Sequence, residues 1–148
     1  MHDDIKKRFN DDGFAVVRGL LDPIEIEFYR EVVKEAIKER KQFDKRNLED
    51  KSEYEKSFIQ CQSLWEDNLQ IRKLTFDQRI CKAASDLLGA KAIRLWHDQA
   101  LLKEPGGRET DPHHDQPYWP IKETSTITAW IPLCDIDSNN GQLGFYPG

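Results

Sequence analysis

The sequence predicts an α+β domain in which helices from the first part of the chain cover a sheet or barrel built by the second. Three observations lead there. Up to residue 88 apolar residues recur at three- and four-residue steps, and beyond residue 90 they shorten into alternating stretches broken by Pro, Gly and Asn. Four Trp, seven Phe and four Tyr supply more core material than a disordered chain carries, although 33% of the residues are charged. A length of 148 residues suits one core, which at this size buries about two thirds of the unfolded surface. The reading is a single domain over residues 1–148, with a mainly helical cover over 1–90 and the first strands of the sheet over 91–148.

The elements follow in order. Gly13 closes a short helical start, and residues 14–18 read as a brief strand. The next helix is the most sharply marked, with Asp22 as N-cap, Pro23 in the first helical position and Glu25 completing a capping box. Ile26, Tyr29, Val33, Ala36 and Ile37 then make one apolar stripe, with Glu, Lys and Arg between them facing water. Residues 44–56 mix both charge signs around few apolar anchors and read as a solvated, mobile connection, with a substrate lid as the alternative. A further helix is expected to open at Thr75, with Gln78 as capping partner. It carries Ile80, Ala83, Ala84, Leu87 and Leu88 on one side and stops at Gly89.

Beyond Gly89, residues 92–103 read as a strand, Pro105-Gly106-Gly107 as a turn, and residues 124–133 as a second strand rich in Thr, Ile and Trp. The Asn140-Gly141 turn signal introduces a third, over residues 142–146. In the second strand Ile127, Ala129, Ile131 and Leu133 share a face that suits the core, while Thr126, Thr128 and Trp130 share the other, which suits a pocket wall.

Charge and composition exclude several partners. With 22 basic against 27 acidic residues, the net charge of -5 removes the general attraction to phosphate that a nucleic-acid binder needs. No apolar run approaches a membrane span, and the opening Met1-His2-Asp3-Asp4 is acidic where a secretory signal is basic and then apolar. Cys61, Cys81 and Cys134 are odd in number and form no Cys-x-x-Cys pair, so neither a disulfide framework nor a zinc knuckle is indicated. The expectation is a cytoplasmic domain whose partner is a small molecule or a protein.

The densest polar cluster is Asp111-Pro112-His113-His114-Asp115-Gln116, followed by Tyr118 and Trp119. In extended backbone, residues i and i+2 share a face, so His113 and Asp115 could grip one cation with His114 turned away. Joined by a second imidazole, such a pair makes the two-His-one-carboxylate face that holds non-haem Fe(II) and leaves positions open for reaction. On the strand over 92–103, His97, Gln99, Leu101 and Lys103 share one face, where an amide and an ammonium beside apolar neighbours suit a ligand carboxylate. His97 reads as structural and His2 as a tail residue.

These residues, in this order, resemble the phytanoyl-CoA dioxygenase-like branch of the Fe(II)/2-oxoglutarate oxygenases. The resemblance rests on Asp12-Gly13-Phe14 with Val16, Val17 and Gly19, and on His113-His114-Asp115 followed by Tyr118-Trp119-Pro120. It also rests on Ala129-Trp130 and on Asn140-Gly141-Gln142-Leu143 leading into Pro147-Gly148, and so spans nearly the whole chain. It implies a double-stranded β-helix, or jelly roll, with helices outside and iron near one mouth. It further implies Fe(II), with 2-oxoglutarate and O2 as cosubstrates, acting on a small organic or acyl substrate. His113 and Asp115 match the family's first two iron ligands. Gln99 and Lys103 match positions that contact 2-oxoglutarate, and Trp130 matches a wall of the pocket. Asp115 favours hydroxylation, because halogenating relatives lack this carboxylate.

The family's second iron-binding His, and the Arg that pairs with the far carboxylate of 2-oxoglutarate, lie downstream of the Pro-Gly at which this sequence stops. None of His2, His97, His113 and His114 stands in that place. The 148 residues are therefore expected to hold only the first part of the jelly roll, since half of one would expose unpaired strand edges. A non-catalytic or truncated binding domain of the same fold, without a complete iron site, is the alternative. A cupin-type or zinc site using His97, His113 and His114 is disfavoured, because adjacent His113 and His114 cannot both face one ion from a regular strand. Oxygenase action on nucleic acid is disfavoured by the net charge of -5 and the lack of a basic, aromatic-studded stretch.

Overall fold

The computed structural model describes residues 3–43, 45–52, 55, 58–103, 105–106 and 109–148. Helix α1 (Asp3–Asp12) begins with two acidic residues, Asp3 and Asp4, which favour the positive end of the helix. Gly13 ends it at φ +80°, a left-handed turn that a side chain would strain, and its N–H reaches the Phe9 carbonyl at 3.1 Å.

Helix α2 (Pro23–Lys41) starts with the expected capping box. Asp22 Oδ1 accepts from the backbone N–H groups of Ile24 and Glu25 at 2.8 and 2.9 Å, and Glu25 Oε2 accepts from the Asp22 N–H at 2.9 Å. Arg79 also bonds Glu25, at 2.7 and 2.9 Å, and bonds Asp77 at 2.8 Å. That guanidinium, and after it the Asp22 N–H, hold the Glu25 carboxyl below the usual carboxylate range. Asp22→Ala removes the acceptor for two backbone donors and is expected to cost about 1–2 kcal/mol in denaturant unfolding. Asp22→Asn, which keeps the acceptor, should recover most of that loss; equal loss in both variants would show that the cap is not the source.

Three elements follow that the sequence pattern did not reveal: β1 (Phe58–Gln62), α3 (Leu64–Asp67) and α4 (Leu69–Thr75). Each is too short to carry a periodic signal. Asn68 starts α4, its Oδ1 accepting from the N–H groups of Gln70 and Ile71 at 2.9 and 3.1 Å. Helix α5 (Gln78–Leu88) begins two residues later than expected. Thr75 ends α4, and Asp77 caps α5 by accepting from the Arg79 N–H at 2.8 Å. Gly89, at φ +64°, provides the expected stop.

Strand β1 pairs antiparallel with β2 (Gln99–Lys103), Phe58 lying opposite Lys103 and Gln62 opposite Gln99. Helix α2 lies against β1 and α4, and α1 touches α5. The centre of the core is Ala36 and Ile37 of α2, Cys61 of β1, Leu64 of α3 and Ile71 of α4, with Val32, Val33, Ile59, Trp65 and Ala100 packed around it. Among the described residues every buried apolar side chain lies between Tyr29 and Leu87.

The protein is thus a mixture of helices and a small antiparallel sheet, as the α+β expectation required, but the sheet is narrower than the strand pattern suggested. Among the described residues it has two strands. Only the end of the 92–103 stretch is a strand, and residues 14–18, 124–133 and 142–146 have no ladder partner. A strand needs a neighbour to bond with, and alternation alone does not supply one. For the same reason the apolar face of the second expected strand is no core: Ile127, Ile131 and Leu133 are half-buried and Ala129 is exposed. The late segments instead lie along the first ones. Phe14 stacks on Phe145 with ring centroids 4.7 Å apart, the Gly148 N–H reaches the Asp12 carbonyl at 3.3 Å, and Arg30 Nε donates to the Leu133 carbonyl at 2.5 Å.

Of the expected connection over 44–56, residues 44, 53, 54 and 56 lie outside the described residues. Around them Arg46 pairs with Glu55 at 2.8 Å. The Ser52 backbone N–H and hydroxyl, then Arg46, hold the Glu55 carboxyl down to about 2.

Candidate metal centre

The His-x-Asp segment is not a strand. Pro112 and Pro117 remove backbone donors on either side of it, and Asp115 is helical (φ -69°, ψ -37°) where it enters a 3-10 turn over Gln116–Tyr118. The two side chains meet nonetheless, with His113 Nε2 3.5 Å from Asp115 Oδ1. The turn, not a pleat, brings them together, which corrects the extended-backbone reasoning.

The hydrogen bonds behind these two atoms determine what they can do. His113 Nδ1 lies 2.8 Å from the carbonyl oxygen of Asp111. A carbonyl only accepts, so Nδ1 carries the hydrogen, and in the neutral ring Nε2 presents a lone pair. On the other side, Asp115 Oδ2 accepts from the Thr128 hydroxyl at 2.7 Å, which leaves Oδ1 turned to the histidine. Two lone-pair atoms facing one another can share a cation between them. With metal–ligand bonds of about 2.1 Å, neighbouring donors around one ion sit roughly 3 to 3.5 Å apart. The observed 3.5 Å fits that spacing. Both side chains are a little under half exposed, so an ion can reach them.

The surrounding loop is braced. Gln116 Nε2 donates to the Glu123 carbonyl at 3.1 Å, while its Oε1 accepts from the Thr126 hydroxyl at 2.8 Å. Tyr118 meets the His113 ring edge-on, with centroids 6.5 Å apart. His114 is exposed.

The other expected site residues are placed as follows. Gln99 begins β2, and its Oε1 accepts from Gln60 Nε2 at 2.6 Å, so its NH2 is the group it can offer outward. Lys103 ends β2, and its side chain passes over Gly141, where an added Cβ would come within 3.0 Å of the lysine Cδ. Trp130 is partly exposed, two residues beyond the Thr128 that holds Asp115. Among the described residues no hydrogen bond or ion pair joins Gln99, Lys103 or Trp130 to His113 or Asp115, and no group of three or more His, Cys, Asp or Glu stands where it could hold a metal.

Three contributors were not singled out from the sequence. The Asp111 carbonyl is a backbone group without a sequence signal. Thr128 was legible only as one of a pocket-facing set. Asp98 lies beside Gln99, and its Oδ2 accepts from the Trp65 N–H at 3.2 Å and the Thr75 hydroxyl at 3.4 Å. Burial pushes its carboxyl above the usual range, against the pull of those hydrogen bonds. It ties the start of β2 to α3 and α4.

The turn after Pro112 thus brings one imidazole nitrogen and one carboxylate oxygen to 3.5 Å. The chain belongs to the phytanoyl-CoA dioxygenase (PhyH) family, whose profile matches residues 9–148. It is 30% identical over 156 residues to "Phytanoyl-CoA dioxygenase, peroxisomal" of Bos taurus, an alignment that covers 97% of this chain and 46% of that protein. The chain therefore spans about half the length of that relative. No solved structure matches it.

Proposed function

We propose that the protein is an Fe(II)/2-oxoglutarate-dependent oxygenase that hydroxylates a small organic or acyl substrate. In this reading the fold around the site is a double-stranded β-helix, and residues beyond Gly148 supply a second iron-binding His and an Arg for 2-oxoglutarate. The single observation that carries the reading is the 3.5 Å approach of His113 Nε2 and Asp115 Oδ1, each with its outer atom already bonded. Membership of a family named for a dioxygenase supports this reading.

Fe(II) with 2-oxoglutarate and O2, when bound, supplies the oxidising power needed to place a hydroxyl on an unactivated carbon. The chain's own residues bind and orient. His113 and Asp115 hold the ion, and the Lys103 ammonium and the Gln99 NH2 attract the carboxylates of 2-oxoglutarate. Trp130 walls the pocket and limits water. The bovine relative's name specifies an acyl-CoA, which falls within the proposed substrate class. The reading keeps a cytoplasmic location, while the relative's name places that protein in the peroxisome.

The test is an anaerobic titration with Fe(II) and 2-oxoglutarate of the protein as its reading frame encodes it, including any residues after Gly148. A weak visible charge-transfer band is expected. A protein that carries a downstream His and Arg yet shows no band would make it a non-catalytic member of the fold.

A further inference from the structure

We infer that Thr128 is a positioning residue for the metal: its hydroxyl selects which oxygen of Asp115 faces the ion. This rests on the reading of His113 and Asp115 as a cation pair. An aspartate has two equivalent oxygens and turns easily about its terminal bond, so a bare carboxylate would offer either oxygen, in many orientations. Here the Thr128 hydroxyl donates to Oδ2 at 2.7 Å and Oδ1 is left 3.5 Å from His113 Nε2. The histidine is treated in the same way, its Nδ1 bonded to the Asp111 carbonyl at 2.8 Å. Both donors therefore have their outer atoms tied to the protein and their inner atoms turned to each other.

Thr128 is itself held in register. Thr126 donates to Gln116 Oε1 at 2.8 Å, so two threonines at alternate positions bond two consecutive residues of the His-x-Asp turn. Both threonines belong to one short stretch of backbone, so its position sets both bonds at once. Gln116 closes the other side by donating to the Glu123 carbonyl at 3.1 Å. A slip of one residue in this stretch would break both threonine contacts and release the carboxylate. The expected strand over 124–133 thus serves the site without any ladder, through its hydroxyls.

Outer partners of metal ligands are worth about 10- to 100-fold in affinity. The experiment is a Mn(II) titration followed by electron paramagnetic resonance, on the protein as its reading frame encodes it, with Thr128→Val, Thr128→Ser, Thr128→Ala and His113→Ala alongside the parent. Thr128→Val keeps the volume and removes the donor, and should weaken Mn(II) binding by at least ~10-fold. Thr128→Ser keeps the donor and should bind within about 2-fold of the parent, a rescue that a purely packing role would not give. Should the valine variant fail to fold, the contrast between Ser and Ala carries the same comparison. Parent-like binding in Val and Ala, with binding lost in His113→Ala, overturns the role of Thr128 and leaves the metal pair standing. Parent-like binding in His113→Ala overturns the metal pair itself.

Discussion

His113→Ala and Asp115→Ala are each expected to abolish the visible band that Fe(II) and 2-oxoglutarate give in the absence of oxygen. Each substitution removes one of the two donors 3.5 Å apart, so the loss of metal affinity should exceed the ~10- to 100-fold that follows loss of an outer partner. The fold should survive both. The two side chains are a little under half exposed and belong to a turn that contributes nothing to the buried centre, so each change should stay within about 0.5 kcal/mol in unfolding free energy. The pair of measurements separates a ligand from a structural residue. A band that persists in both variants removes these residues from the site, whereas its loss together with folding would point to a structural role. Replacing exposed His114 provides the internal control and should leave the band in place.

Ile37→Ala is expected to be the most damaging change to stability. Ile37 is 3% exposed at the centre of the core, on the face of α2 that meets β1, α3 and α4. Truncation removes transfer free energy and leaves a cavity, together about 2–5 kcal/mol. A domain of ordinary stability has about 5–15 kcal/mol in total, so the variant should lose much of its folded population on modest heating or in mild denaturant. Ile24, on the same helix but 81% exposed, is the matched control, and Ile24→Ala should change stability by less than about 0.5 kcal/mol. Similar effects at the two positions in urea unfolding would mean that α2 does not pack as described.

Where a short-range rule governs the outcome, the sequence was readable. The α2 capping box depends on residues three apart, and Asp22, Pro23 and Glu25 form it as expected. The Gly89 stop depends on the freedom of one residue at positive φ. The stripe of α2 was also legible, with Tyr29, Ala36 and Ile37 buried. The region over 58–75 was not, because a five-residue strand and two short helices leave too few turns for any period to show. The start of α5 was misplaced by two residues, because Thr75 and Asp77 both have capping side chains and only the end of α4 decides between them.

The chemistry divides in the same way. By itself the sequence determined which side chains are available: an imidazole and a carboxylate at alternate positions, an aromatic pair after them, and Thr126, Thr128 and Trp130 on one face further on. These are matters of residue type, and the order of the motifs from Asp12-Gly13-Phe14 through His113-His114-Asp115 to Asn140-Gly141 was enough to indicate the family. The tertiary structure alone decided which atoms face one another. The Asp111 carbonyl sets the histidine's hydrogen on Nδ1, and Thr128, distant in sequence, binds Asp115 Oδ2 at 2.7 Å. It also decided that β2 pairs with β1 and that the 124–133 stretch stays without a ladder. Apart from the Asp111 contact, which spans two residues and turns on the local backbone, such choices depend on groups separated along the chain meeting with the right hydrogen-bond geometry, and a pattern of neighbouring residues does not contain that information.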